Sequence, residues 1–210
     1  MIQHKKIVIK VIDNYIYTEG LIAYINKEVR LIKGDFQEID YIDVIKYIID
    51  YVVDNQPVIS ENQKIGYYSW ALQFKIVDSN FFDLYEANIN GEDIKEGCEF
   101  AISLTKDQSE ICAEYGLIPL FPNFSQMIVI SKGVYEGKDI EAIRYDSPEH
   151  MSGWWLITDD YDDDIKSLMT VHFYHVAFKR PDILKYLALP FGYRFLMENN
   201  EIEVTKDEDE

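Results

Sequence analysis

The sequence predicts an α+β protein: antiparallel sheets with a few packed helices. Short runs of β-branched and aromatic residues, bounded by turn residues, recur along the chain and read as strands. One segment, Asp40–Asp54 with Ile39 just before it, instead spaces Ile39, Ile42, Ile45, Ile48, Ile49, Val52 and Val53 at the helical period. Apolar residues are 48% of the 210, with 16 tyrosines, which places the chain among folded rather than disordered proteins.

Taken in order, Lys5–Ile12 and Tyr15–Thr18 form a hairpin across Asp13-Asn14. Gly20–Ile32 adds a strand or two, with Lys33-Gly34-Asp35 as a turn. The helix over Asp40–Asp54 ends before Asn55-Gln-Pro57, because proline disfavours helix in the residue before it. Its β-branched residues require packing rather than propensity to hold it. Ser60–Lys64 reads as a linker, Tyr67–Val77 as one long strand, and Phe82–Ala87 as its partner across Asp78-Ser-Asn80. Asn90-Gly91 marks a turn. Thr105-Lys-Asp-Gln108 matches a capping box, so a helix is expected from there to Tyr115, stopped by Gly116. Pro119 and Pro122 make Leu117–Phe124 an extended connector.

Strands follow at Ile128–Lys132, Ile140–Tyr145 and Trp154–Thr158, then a helix near Arg180–Leu189 with proline in its first turn. Pro190-Phe-Gly192 turns the chain into a final pair, Arg194–Met197 and Ile202–Val204. The expected organisation is a β-hairpin and helix unit over 1–58, a central α+β segment over 59–126, an α+β unit over 127–205 and a disordered acidic tail over 206–210.

The last unit carries the chain's most specific residues. The run Ile130-Ser-Lys-Gly-Val-Tyr-Glu-Gly137, then Ile143-Arg-Tyr145, Ser152-Gly-Trp154, an acidic turn at Asp159–Asp164, Asp182-Ile-Leu184 and Pro190-Phe-Gly-Tyr-Arg-Phe195 resembles the Imm33 immunity-protein family. That family was formerly a domain of unknown function and is found beside polymorphic bacterial toxins. The order of elements matches over about a third of the chain; Trp155 and the run Met169–Lys179 depart from the pattern. The resemblance implies a cytosolic immunity protein, not an enzyme, that binds and neutralises a cognate toxin.

Twenty basic against 38 acidic residues leave a formal charge of −18, which repels nucleic acid and anionic membrane and attracts a basic partner. No stretch reaches the roughly 18 apolar residues of a membrane span, and the amino terminus lacks a signal-length apolar run, so the cytoplasm is expected. Cys98 and Cys112 read as reduced thiols. His172 and His175 share a helical face, or oppose each other in a strand, and lack the further ligands zinc needs. Asp159–Asp164 lacks the glycine and terminal glutamate of a calcium loop. Ser131, Ser152 and Cys112 sit in no nucleophile signature, Glu86, Glu110, Glu114 and Glu149 in no paired arrangement, and no phosphate-binding or dinucleotide loop occurs, so no catalytic, cofactor or metal residues are assigned.

Five carboxylates within six residues follow two adjacent tryptophans. Neighbouring strand residues face opposite sides, so the two tryptophans do not enter the same core face: one anchors the core, and the other faces a second layer, the amino-terminal region or a partner. The expected partner-binding residues are Trp155, Asp159, Asp160, Tyr161, Asp162, Asp163 and Asp164, facing a toxin with a basic surface. The alternative is a small-molecule-binding protein or enzyme with a pocket between the amino- and carboxy-terminal units.

Overall fold

The computed structural model describes residues 2–199 and 201–207. The chain divides into two units, Met1–Tyr67 with Ala71–Ser103, and Tyr68–Trp70 with Leu104–Glu210.

In the first unit the elements are β1 (Ile2–His4), β2 (Ile7–Ile12), β3 (Tyr15–Glu19), α1 (Ile22–Ile25), β4 (Glu28–Ile32), α2 (Glu38–Asn55), β5 (Lys64–Tyr67), β6 (Trp70–Lys75), β7 (Phe81–Ala87) and β8 (Ile94–Glu96). The sheet runs β1-β2-β3-β4-β7-β6-β5, with β8 also on β7. Asp13, at φ +53°, makes the β2–β3 turn that Asp13-Asn14 foretold. Strands from both sides of residue 58 share this sheet, since β4 pairs in parallel with β7 through Val29 and Phe82. The helical period holds for most of its members: α2 buries Tyr41, Ile42, Val44, Ile45, Ile48, Ile49 and Val52, while Ile39 in its first turn is exposed, Val53 is half-buried, and the helix runs one residue further, to Asn55. Full burial of such an aliphatic side chain is worth about 1.5–3 kcal/mol, ample to override weak β-branched helix propensity. Gln37 and Asp40 close a capping box, and Gln56 ends the helix in the left-handed conformation.

Two local expectations fail here. The run Tyr67–Val77 is not one strand: Tyr68, at φ +49°, breaks it into β5 and β6. The Thr105–Gln108 capping box does not form, because helix α3 (Glu99–Glu114) already begins six residues earlier. Its first amides are capped instead by Glu86, a buried carboxylate on β7 that accepts from Phe100 N at 3.0 Å and Ala101 N at 2.9 Å. Burial pushes the Glu86 carboxyl up, against those two bonds. At the other end Gly116, at φ +69°, closes the helix: Leu117 N donates to Cys112 O and Gly116 N to Ala113 O, the paired bonds of a Schellman motif.

The second unit continues with β9 (Met127–Ile130), β10 (Ile140–Arg144), β11 (Met151–Ile157), a 3-10 turn at Ile165–Ser167, β12 (Met169–His172), α4 (Phe173–Lys179), a 3-10 turn at Pro181–Tyr186, β13 (Tyr193–Glu198) and β14 (Glu201–Lys206). The sheet order is β12-β9-β11-β10-β13-β14. Its pairs are antiparallel except β9 with β11. The helix expected near Arg180–Leu189 is a 3-10 turn, and the departing run Met169–Lys179 supplies an edge strand and an α-helix with Phe173, Val176 and Ala177 buried. Gln108, expected at a cap, is buried and donates to Ser69 Oγ at 3.0 Å and Leu184 O at 2.9 Å. The tail expected over 206–210 does not hold for its first two residues: Lys206 is in β14, and Asp207 is buried with its amide on Gly192 O. Residues 208–210 lie outside the described part.

Candidate partner-binding surface

Strand β11 positions the candidate residues. Gly153 sits inside it at φ +83°, where an added Cβ would stand 2.3 Å from the Tyr145 carbonyl oxygen, so only glycine fits. Here the register against β9 shifts between Met151 and Trp155. Beyond this irregularity the alternation is regular: Trp154 points inward and Trp155 outward. Trp154 is fully buried, donates from Nε1 to Leu187 O at 2.8 Å, and lies 5.4 Å from the Phe195 ring. Trp155 is half-buried and meets Tyr145 edge-on at 6.0 Å.

Outward-facing side chains share rungs across the sheet. Trp155 pairs with Ile143, which pairs with Arg194. One rung on, Ile157 pairs with Glu141, and Glu141 with Leu196. Leu196 is 44% exposed and Tyr145 37%. The outer face thus offers an apolar band with charged neighbours.

The acidic turn leaves the end of β11 through Thr158, whose amide donates to Ser131 Oγ at 2.9 Å and whose hydroxyl donates to Lys132 O. Gly133 passes so close that a Cβ would meet Thr158 Oγ1 at 2.7 Å. These contacts give the Ser-Lys-Gly residues after β9 a physical purpose: they hold the root of the turn. Lys138 Nζ then ties Asp159 at 3.2 Å and Asp160 at 2.7 Å. The bond from Lys138 holds the Asp160 carboxyl below its usual range, and Asp160 and Asp159 in turn raise the Lys138 ammonium. Asp162 accepts from Ser167 Oγ at 2.8 Å and from Asp164 N at 3.2 Å, and the Ser167 bond chiefly lowers its pKa. Asp164 caps the 3-10 turn through Lys166 N at 3.0 Å. Asp163 is exposed at φ +60°, and Tyr161 is half-buried with its amide on Thr158 O. All five carboxylates remain on the surface while four of them also shape the turn. The turn starts four residues past Trp155, roughly 13 Å along an extended strand. Sequence reasoning missed Lys138; its signal was a lone lysine in the Gly137-Lys-Asp139 turn facing an acidic run.

Two arginines that strand patterning did not single out are buried beneath this face. Arg144 donates to the carbonyls of Leu120 and Leu189 at 2.6 Å, Ser152 at 2.9 Å and Leu187 at 3.3 Å. Its guanidinium also lies 5.6 Å from the Trp154 ring and 5.1 Å from Phe191. Burial pushes it down to about 9, still well above neutrality, so the group stays charged. Arg180 pairs with Asp182 at 2.8 Å and donates to Val134 O and Lys138 O. It thereby fixes the chain next to Gly133 and at Lys138 itself, the two residues that reach the acidic turn.

The other candidates resolve into structure. The chain changes from strand to helix between His172 and His175, whose rings lie 6.3 Å apart with Tyr174 against both. Among the described residues no three His, Cys, Asp or Glu side chains are grouped to hold a metal ion. Cys98 and Cys112 are buried free thiols, and burial raises both pKa values. Among the described residues no helix is long and apolar enough to cross a membrane.

The second unit is therefore an α+β domain with a mixed six-stranded sheet, one face packed on helices and the other carrying tryptophan beside carboxylates. Residues 107–207, nearly all of this unit, match the family model described as the Imm33-like domain. The C-terminal region of the chain is thus Imm33-like, as its Ser-Lys-Gly, Ser-Gly-Trp and Pro-Phe-Gly residues implied. Comparison with curated proteins and with solved structures finds no match. The family suggests an immunity-protein-like role with a protein partner, and it is generally non-enzymatic.

Proposed function

We propose that this chain is a cytoplasmic immunity protein that binds a cognate bacterial polymorphic toxin and neutralises it by forming a direct complex. The observation that carries the reading is the Imm33-like match over the unit that exposes the acidic turn. Trp155, Asp159, Asp160, Tyr161, Asp162, Asp163 and Asp164 are the contact residues in this reading, and the toxin surface facing them is basic. A net charge of −18 speeds encounter with such a partner, while an aromatic anchor slows dissociation. The pre-shaped turn lowers the ordering cost of binding, because hydrogen bonds already hold four of its aspartates. The test is co-expression with the product of the adjacent gene. Survival together with a stable co-purifying complex supports the proposal. Cell death, or survival without a complex, refutes direct neutralisation.

A further inference from the structure

Beside the acidic turn, where the start of β10 and the ends of β11 and β13 meet, lies an open groove of about 700 Å³. Its apolar floor is Ile157, Leu196 and Met197, and Leu196 is the most exposed of the three. Its walls carry four carboxylates, those of Asp139, Glu141, Asp159 and Glu198, against the single ammonium of Lys138. Lys138 is already engaged by Asp159 and Asp160, and Arg194 approaches Glu141 only to 3.7 Å. The walls therefore keep an excess of negative charge above an apolar surface that solvent reaches.

We infer that this groove receives an arginine side chain from a basic segment of the partner protein. This deepens the immunity reading and rests on it for the partner's identity. Arginine matches the groove in both parts: its methylene stem covers apolar surface while its charged head stays outside. The guanidinium fork donates to two carboxylate oxygens at once, a geometry that the compact lysine ammonium lacks. Glu141 and Leu196 are cross-strand neighbours on the outer face, so stem and head meet their matching surfaces on one rung. The apolar floor and the carboxylates of Glu141 and Glu198 stand on strands, which holds that part of the geometry before the partner arrives, while Asp139 and Asp159 come from the flanking turns.

The test uses the full chain and end-capped hexa-arginine, with hexa-lysine and hexa-glutamate as comparison peptides, followed by amide NMR at low salt. Hexa-arginine should shift the amides of Glu141, Ile157, Leu196 and Glu198, and should bind more tightly than hexa-lysine. Leu196→Lys places the protein's own cation in the groove from an exposed position and should weaken binding about tenfold or more with the fold retained. Glu141→Gln with Glu198→Gln should weaken it several-fold and flatten its salt dependence. Shifts confined to Asp159–Asp164, equal binding of the two basic peptides, or parent-like binding by Leu196→Lys would each overturn the inference. Failure of the immunity reading has a different signature: the groove binds hexa-arginine, yet the adjacent gene product forms no complex. Conversely, a complex indifferent to Leu196→Lys removes the groove and leaves that reading standing.

Discussion

Replacing Arg144 tests how the domain beneath the outer face is held. Arg144→Met removes the donor for the carbonyls of Leu120, Ser152, Leu187 and Leu189. Leu187 O keeps the Trp154 indole N–H, so three acceptors lose this bond without that substitute. A buried acceptor stripped of its donor costs about 1–3 kcal/mol. The variant also sheds the cost of burying a charge, visible in the guanidinium's lowered pKa, so the lower end applies. The expected loss is about 3 kcal/mol. With a urea slope of about 2 kcal/mol/M, that moves the midpoint by about 1.5 M. Arg144→Lys should cost at least as much at pH 7, because the charge stays buried while its single nitrogen reaches fewer of the four carbonyls. Intrinsic fluorescence suits the assay, since Trp154 and Trp155 lie on β11 and Trp70, although it opens β6, groups with the second unit as well. A loss under about 0.5 kcal/mol for the methionine variant, or a lysine variant as stable as the parent, refutes the reasoning.

Further outcomes follow from the same geometry. Gly153→Ala forces a side chain at φ +83° into the Tyr145 carbonyl and should lower the second unit's melting temperature by about 10 °C or more; a change within about 2 °C in a thermal melt would refute the close approach. Tyr41 is buried and bonded to Glu99, and burial, then that bond, raise its phenol to about 12. The folded state then holds a proton that the unfolded state releases above about pH 10, so stability falls between pH 10 and 12 by up to about 1.4 kcal/mol per pH unit. Urea titrations at stepped pH should show this slope reduced in Tyr41→Phe, with the remainder carried by the other groups that burial raises, Tyr85, Tyr135, Cys98 and Cys112; an unchanged slope would refute the Tyr41 contribution. Converting Asp160, Asp162, Asp163 and Asp164 together to asparagine should slow association with the toxin at low salt and reduce its salt sensitivity. Unchanged stopped-flow rates would exclude the acidic turn as the contact surface.

What was legible in the sequence was local and periodic. The spacing of Ile42, Ile45, Ile48, Ile49 and Val52 announces α2 because one helix face repeats within the chain itself. Gly116 announces the end of α3 because a left-handed cap favours glycine. Tyr67–Val77 misleads for the same reason: its apolar run continues through Tyr68-Ser69, and nothing local marks the turn there. Thr105-x-x-Gln108 misleads because the better cap, Glu86, reaches the helix through space. At the candidate surface the acidic run was plain, whereas Lys138, Glu141, Leu196 and Glu198 gather only once β10, β11 and β13 lie side by side.

The sequence by itself determined the α+β class, the opposed tryptophans, the negative field and the Imm33-like residues, since these follow from composition, short-range period and motif order. Only the tertiary structure decided which tryptophan is buried, that β4 and β9 take parallel neighbours, that Arg144 is sealed among carbonyls and that Lys138 anchors the acidic turn. Those choices depend on contacts between residues distant in the chain, whose free energies are set by burial and by hydrogen bonds that no local pattern encodes.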